Sequence, residues 1–240
     1  MSRLYVYGDS YTAPNYCVNA QQSFWGLAAE QLQVDDILNV SKNGNSFDTV
    51  CQLLIGSQNQ YFYDWKDDWF IIGIPPLERI TIFDNDQDTE YPSCFFNLPD
   101  WDQHPTTMEC HRGLVSEPFF GQDKFLVIHQ DRSWVETQVL REIFLLTQWL
   151  DSKNANYLVC NLSKPLMKHN WWGPNEFVLE KIIQHPRCIV FDDTYYSINY
   201  QVHKPIDYVE HGWTGHHGPD GNKRYFERSI KPKLDSIINT

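Results

Sequence analysis

Short apolar runs of strand length recur along the chain, separated by segments whose apolar residues fall three and four apart. Arg3 to Tyr7 is a β-rich run that ends in Gly8-Asp9-Ser10, a turn-forming tripeptide. Ser23 to Leu32 then carries Trp25, Ala28, Ala29 and Leu32 on one helical face. Asp36 to Val40 reads as a second strand, and Asn45 to Ile55 as a helix capped by Asn45 or Ser46. Asp68 to Ile74 is a third strand. Its unbroken apolar run predicts burial on both faces, as in a parallel sheet.

Residues 75–127 break this rhythm. Pro75-Pro76 ends the strand, and the stretch that follows is aromatic, acidic and poor in helix formers. It holds too many aromatics for a disordered linker, and is expected to be an insertion, a hairpin or lid, folded over one end of the sheet. Regular patterning returns at Ser133-Trp134-Val135-Glu136, which has the form of a capping box. The helix it opens places Val135, Val139, Ile143, Leu146 and Leu150 on one face. Tyr157 to Leu162 is a fourth strand, Glu176 to Ile183 a helix and Arg187 to Phe191 a fifth strand. Asp220 to Ile238 is a last helix with Phe226, Ile230, Leu234 and Ile237 inward, and Pro232 predicts a kink or break in it. Strands alternating with helices give a single domain over 1–240. The fold class is a flavodoxin-like, three-layer α/β/α arrangement on a mainly parallel sheet. Ligands in such folds bind at the carboxyl ends of the strands.

That edge is where Ser10 belongs. A serine hydroxyl is a weak nucleophile and needs a base, most often His, within hydrogen-bond reach. Gly215-His216-His217-Gly218-Pro219-Asp220-Gly221 supplies one in a rigid loop just before the last helix. At these residues the chain resembles the SGNH/GDSL hydrolase family. Tyr5-Val6-Tyr7-Gly8-Asp9-Ser10-Tyr11-Thr12 is similar to the family's first block, which carries the nucleophile. Ser23-Phe24-Trp25-Gly26-Leu27 resembles the opening of the next helix, and Asn39 to Ser46 resembles the second block. That block's glycine, Gly44 here, gives a backbone N–H to the oxyanion. His216 to Gly221 resembles the last block, His-Pro-x-x-x-Gly, and counting back five from Gly221 selects His216 over His217.

The resemblance implies a three-layer fold and ester or acetyl hydrolysis through an acyl-enzyme, with no metal or other cofactor. Ser10 and His216 would be catalytic, and the N–H groups of Ser10 and Gly44 would form the oxyanion hole. Two positions depart from the pattern. The third block usually reads Gly-x-Asn-Asp, but here the third strand runs Ile72-Gly73-Ile74-Pro75-Pro76-Leu77-Glu78-Arg79, with no Asn. Arg79 and Asn43 are the candidates to replace it. The acid three residues before the His is replaced by Trp213. The groups that can orient His216 are then the main-chain carbonyl of Trp213 and the side chains of Glu210 and Asp207.

Composition narrows the partners. The net charge of −12 repels phosphate backbones, so nucleic acid is excluded, and no polybasic stretch suits an anionic membrane. The N-terminus lacks a signal-peptide apolar core and no run has membrane-spanning length. The chain therefore reads as cytoplasmic, or virion-associated if it comes from a phage rather than a bacterium. Six cysteines without a C-x-x-C pair read as buried free thiols. The sequons at Asn39 and Asn161 carry little weight in that setting. His211, His216, His217 and Asp220 are close in sequence but match no standard metal spacing. There is no G-x-S-x-G elbow, P-loop or dinucleotide fingerprint.

Aromatics make up 15% of the chain, a density that fills cores and also lines sugar or acyl sites. Trp65, Trp69, Trp101, Trp171 and Trp172 are the candidate sugar-stacking faces. The expected activity is hydrolysis of carboxylic esters, O-acetyl groups on carbohydrate included, with a small-molecule or glycan ester as substrate. The rival is a catalytically weakened module of the same fold that binds or builds, motivated by the missing Asn and Asp. Substrate identity and oligomeric state are not written in the sequence.

Overall fold

In the computed structural model, residues 2–9, 11–13, 19–42, 45–75, 96–97, 109–110, 132–162, 166, 174–200 and 218–239 are described. Arg3–Tyr7 forms β1, the second strand of a five-stranded sheet. Its neighbours are β2 (Asp36–Asn39) and β3 (Trp69–Ile74), and β6 (Asn156–Asn161) and β7 (Cys188–Ile189) complete the order β2-β1-β3-β6-β7. All four pairings are parallel, so the expected α/β sheet is entirely rather than mainly parallel. Between β3 and β6 in the chain, β4 (Phe96–Asn97) and β5 (Glu109–Cys110) make a separate antiparallel pair within the predicted insertion.

Successive strand side chains point to opposite faces, and here both faces are covered. Tyr5, Tyr7, Phe70, Ile72 and Val159 face the layer of α2 (Phe47–Tyr61), α3 (Arg132–Ser152) and α4 (Pro174–Ile183). Leu4, Val6, Ile71, Leu158 and Ile189 face α1 (Phe24–Leu32), α5 (Tyr195–Tyr200) and the C-terminal helix. This is why the strands read as continuous apolar runs. β2, at the edge, is the exception, with Asp36 and Ile37 exposed.

The helix ends follow local chemistry. Ser23 caps α1 by accepting from the Gly26 N–H at 2.9 Å, and Ser46, not Asn45, caps α2 through the Thr49 N–H. α3 begins at Arg132, which puts Ser133 inside its first turn rather than ahead of it. Val139, Ile143, Leu146 and Leu150 are buried as the spacing predicts. The C-terminal helix starts as α6 (Pro219–Tyr225), passes through a π-helical segment at Phe226–Ile230, and ends as α7 (Lys231–Ile238). Pro232 cannot donate a backbone N–H, and the helix widens just before it, where the Lys231 N–H reaches back to Phe226 O.

One titratable group is caught between helices. Burial first, and then the Asp48 carboxylate across from it, push Glu142 of α3 up to about 7. A carboxyl whose native pKa exceeds its unfolded value favours folding when protonated, and that contribution is lost as pH rises through about 7. Glu142→Gln should therefore raise the melting temperature over wild type at pH 8, by the equivalent of about 1–3 kcal/mol, and much less at pH 5. Equal shifts at both pH values in a thermal melt would contradict this.

Candidate active site

β1 ends in a tight turn. The Asp9 carbonyl accepts from the Thr12 N–H (3.0 Å), the Ala13 N–H (2.9 Å) and the Thr12 hydroxyl (2.9 Å). The Asp9 carboxylate accepts from the Tyr11 N–H at 3.1 Å, an Asx turn. Asp9 and Thr12 are fully buried. Gly8 is required just before this turn, because a Cβ there would collide with the Thr12 hydroxyl as the chain folds back. Ser10 itself lies outside the described residues, but its neighbours on both sides hold a turn at the carboxyl end of β1.

The loop from β2 to α2 is strapped to that turn by side-chain amides. Asn39 donates from Nδ2 to Thr12 O at 2.6 Å and accepts from the Ser41 N–H at 3.0 Å. Gly8 O accepts from the Lys42 N–H (3.3 Å) and from Asn45 Nδ2 (2.9 Å). The Asn45 N–H in turn bonds to Lys42 O at 3.3 Å. Asn43 and Gly44 lie outside the described residues, bracketed by these bonds. On the other side of β1, Gly73 of β3 lets the strands close up: a Cβ there would meet Leu162 Cδ1 at 2.5 Å and Thr12 Cγ2 at 3.3 Å. β2 and β3 flank β1 on opposite sides, so the strand order reverses at β1/β3, the switch point at whose carboxyl ends folds of this kind form their binding crevice.

The last block approaches the same edge. Gly218 is buried at the N-cap of α6, with Pro219 in the first helical position. Its carbonyl accepts from the Asn222 backbone N–H (3.1 Å) and from Asn222 Nδ2 (3.0 Å). Asn222 Oδ1 accepts from the Phe24 N–H at 3.2 Å, which ties the exit of the His loop to the start of α1. Tyr225 packs edge-on against Phe24, with ring centroids 5.2 Å apart. His216, His217, Trp213, Glu210, Asp207 and Arg79 lie outside the described residues. β3 and the residue after it, Trp69 to Pro75, bring no Asn to the crevice. The amide that ends β6, Asn161, is fully buried and donates to Val190 O at 3.0 Å.

Two candidate stacking residues belong elsewhere. Trp65 packs on Phe70 and Trp149, with centroids 5.2 and 5.3 Å away. Trp69 opens β3, so both sit at the amino end of the sheet, opposite the crevice, and their aromatic surface is spent on core packing. Trp101, Trp171 and Trp172 lie outside the described residues. Among the described residues the thiols are poor rival nucleophiles: burial pushes Cys51 and Cys160 well up, and Cys188 up to about 12. Beneath the site, Tyr7 and Tyr63 share a hydrogen bond, and burial raises Tyr7 strongly and Tyr63 to about 12, so both stay protonated. Among the described residues, no group of three or more His, Cys, Asp or Glu is arranged to hold a metal, and no helix is long and apolar enough to cross a membrane.

No protein-family model and no curated protein matches the chain. Among solved structures it is similar to the crystal structure of TesA, with 13% identity, 98% of each chain covered and a TM-score of 0.45. It is also similar to the psychrotrophic esterase EstA from Pseudoalteromonas sp., at 10% identity, 99% of each chain and a TM-score of 0.48. A member of the lipolytic protein G-D-S-L family from Veillonella parvula DSM 2008 matches at 9% identity over 96% of this chain and 97% of that one, with a TM-score of 0.44. These likenesses are distant, and the fold stands on the sheet order and connections described above.

Proposed function

We propose that the chain is a serine hydrolase of the SGNH/GDSL type that cleaves carboxylic esters. In this reading Ser10 is the nucleophile, His216 the general base, and the N–H groups of Ser10 and Gly44 the oxyanion donors. One observation carries it. Described residues near each of them in the chain, Gly8 and Asp9, Lys42 and Asn45, and Gly218, lie at the carboxyl edge of the sheet, held by the bonds of Lys42 and Asn45 to Gly8 and of Asn222 to Gly218 and Phe24.

His216 takes the Ser10 hydroxyl proton as the oxygen attacks the acyl carbon, and the oxyanion settles between the two N–H donors. The tetrahedral species collapses, the bond to the alcohol breaks, and His216 returns the proton to that alcohol. Water then attacks the acyl-enzyme by the same route, which releases the acid and restores Ser10. The main-chain carbonyl of Trp213, or the carboxylate of Glu210 or Asp207, orients His216. Arg79 or Asn43 supplies the oxyanion contact that the third-block Asn would have made.

The substrate class is a short-acyl ester of a small molecule or glycan, O-acetyl carbohydrate included. The 75–127 insertion leaves from the carboxyl end of β3, on the crevice edge, and so is the segment that shapes the acyl or alcohol site. The scheme uses no metal. Purified protein should hydrolyse p-nitrophenyl acetate at the same rate with and without a chelator. Turnover no faster than buffer would favour a non-catalytic module, and loss of rate with chelator would contradict the Ser–His scheme.

A further inference from the structure

We propose that Asn45 is the positioning residue that sets the oxyanion donor Gly44 against the Ser10 turn, an inference that rests on the roles given to Ser10 and Gly44 above. Asn45 follows Gly44 directly and is only 2% exposed. Its Nδ2 donates to Gly8 O at 2.9 Å, two residues before Ser10, while its own N–H donates to Lys42 O. The next residue, Ser46, is pinned as the cap of α2. One buried amide thus couples the segment that carries the oxyanion donor to the segment that carries the nucleophile. The backbone bond from Lys42 to the same carbonyl is longer, at 3.3 Å, and lies on the far side of Gly44 from Asn45.

Oxyanion donors work by being aimed before the reaction begins, and a displacement of about 1 Å costs roughly 10²-fold in rate. Without the Asn45 amide the Gly44 side of the site is free to drift from the Ser10 side, and no group that binds the ground-state substrate is removed. Asn45→Ala should therefore lower kcat by about 10- to 100-fold and leave KM within about two-fold.

The test compares an oxoester with the matching thionoester. An aligned pair of N–H donors discriminates against the larger, more weakly accepting sulfur, and a misaligned pair discriminates less. The oxoester-to-thionoester ratio of kcat/KM should fall in Asn45→Ala, which a general loss of stability would not cause. Asn45→Ser, whose hydroxyl stops about one bond short of the amide nitrogen and so meets Gly8 O only through a bridging water, should fall between Ala and wild type; if Asn45→Ala does not fold, Asn45→Ser against wild type gives the same comparison. Wild-type turnover abolished in Ser10→Ala confirms the underlying reading first. Given that result, an unchanged kcat in the Asn45 variants, or a lower kcat at the wild-type ratio, would overturn the positioning role. Full activity in Ser10→Ala would instead overturn the reading on which it rests.

Discussion

Ser10→Ala should abolish ester hydrolysis, with kcat/KM falling by at least about 10³-fold to the level that binding and the oxyanion donors alone sustain. In the proposed scheme the substitution removes the atom that bonds to the acyl group. It should leave the fold intact for a specific reason. The turn after β1 is held by the Asp9 carbonyl and carboxylate, which accept from Tyr11, Thr12 and Ala13, and none of these bonds uses the Ser10 side chain. A thermal melt close to wild type beside a lost rate is the expected pair of results. A rate within ten-fold of wild type on p-nitrophenyl acetate would remove Ser10 from the mechanism.

His216→Ala carries the second large effect. Without a base the Ser10 hydroxyl keeps its proton, and the rate should again fall by about 10³-fold or more. In wild type, kcat/KM should rise with pH along the limb on which the imidazole loses its proton, and this limb should vanish in the variant. His217→Ala is the internal comparison. The spacing back from Gly221, buried in α6 beside Asn222, is what favours His216 in the proposed scheme. His217→Ala should keep most of the activity. A larger loss in His217→Ala than in His216→Ala would exchange the two assignments.

Much of this architecture was legible in the sequence because both faces of the sheet are covered. Trp69–Ile74 and Asn156–Asn161 read as unbroken apolar runs for that reason, and α1 and α3 show one-sided apolar spacing. The departures have local causes. α2 runs on to Tyr61, six residues past the predicted end, through a polar stretch in which Ser57 is nonetheless buried. β7 is shorter than the predicted Arg187–Phe191. Val190 turns its carbonyl to the Leu166 N–H and the Asn161 amide instead of continuing the ladder. α5 has only six residues and its start is set by the Thr194 hydroxyl accepting from the Ser197 N–H, too short a span for periodicity to register.

The site was legible in part. Gly8-Asp9-Ser10 and the segment 39–46 stand out as motifs, and the described residues around them share one edge of the sheet. The amides that join them, Asn39, Asn45 and Asn222, escaped notice because their partners are backbone carbonyls and N–H groups distant in sequence. Two of them carry one sequence signal, adjacency to the motif glycines: Asn45 follows Gly44 and Asn222 follows Gly221. Trp65 and Trp69 show the converse error, since composition registers aromatic surface but not the end of the sheet at which it is buried.

The most direct measurement is covalent capture of the nucleophile. A fluorophosphonate probe reacts when a serine oxygen bonds to phosphorus, fluoride leaves and the neighbouring base accepts the proton. Peptide mass spectrometry should find a single adduct on the peptide containing Ser10, absent in Ser10→Ala and strongly slowed in His216→Ala. An unlabelled wild-type protein, or an adduct on any other residue, would contradict the assignment of Ser10 as the nucleophile.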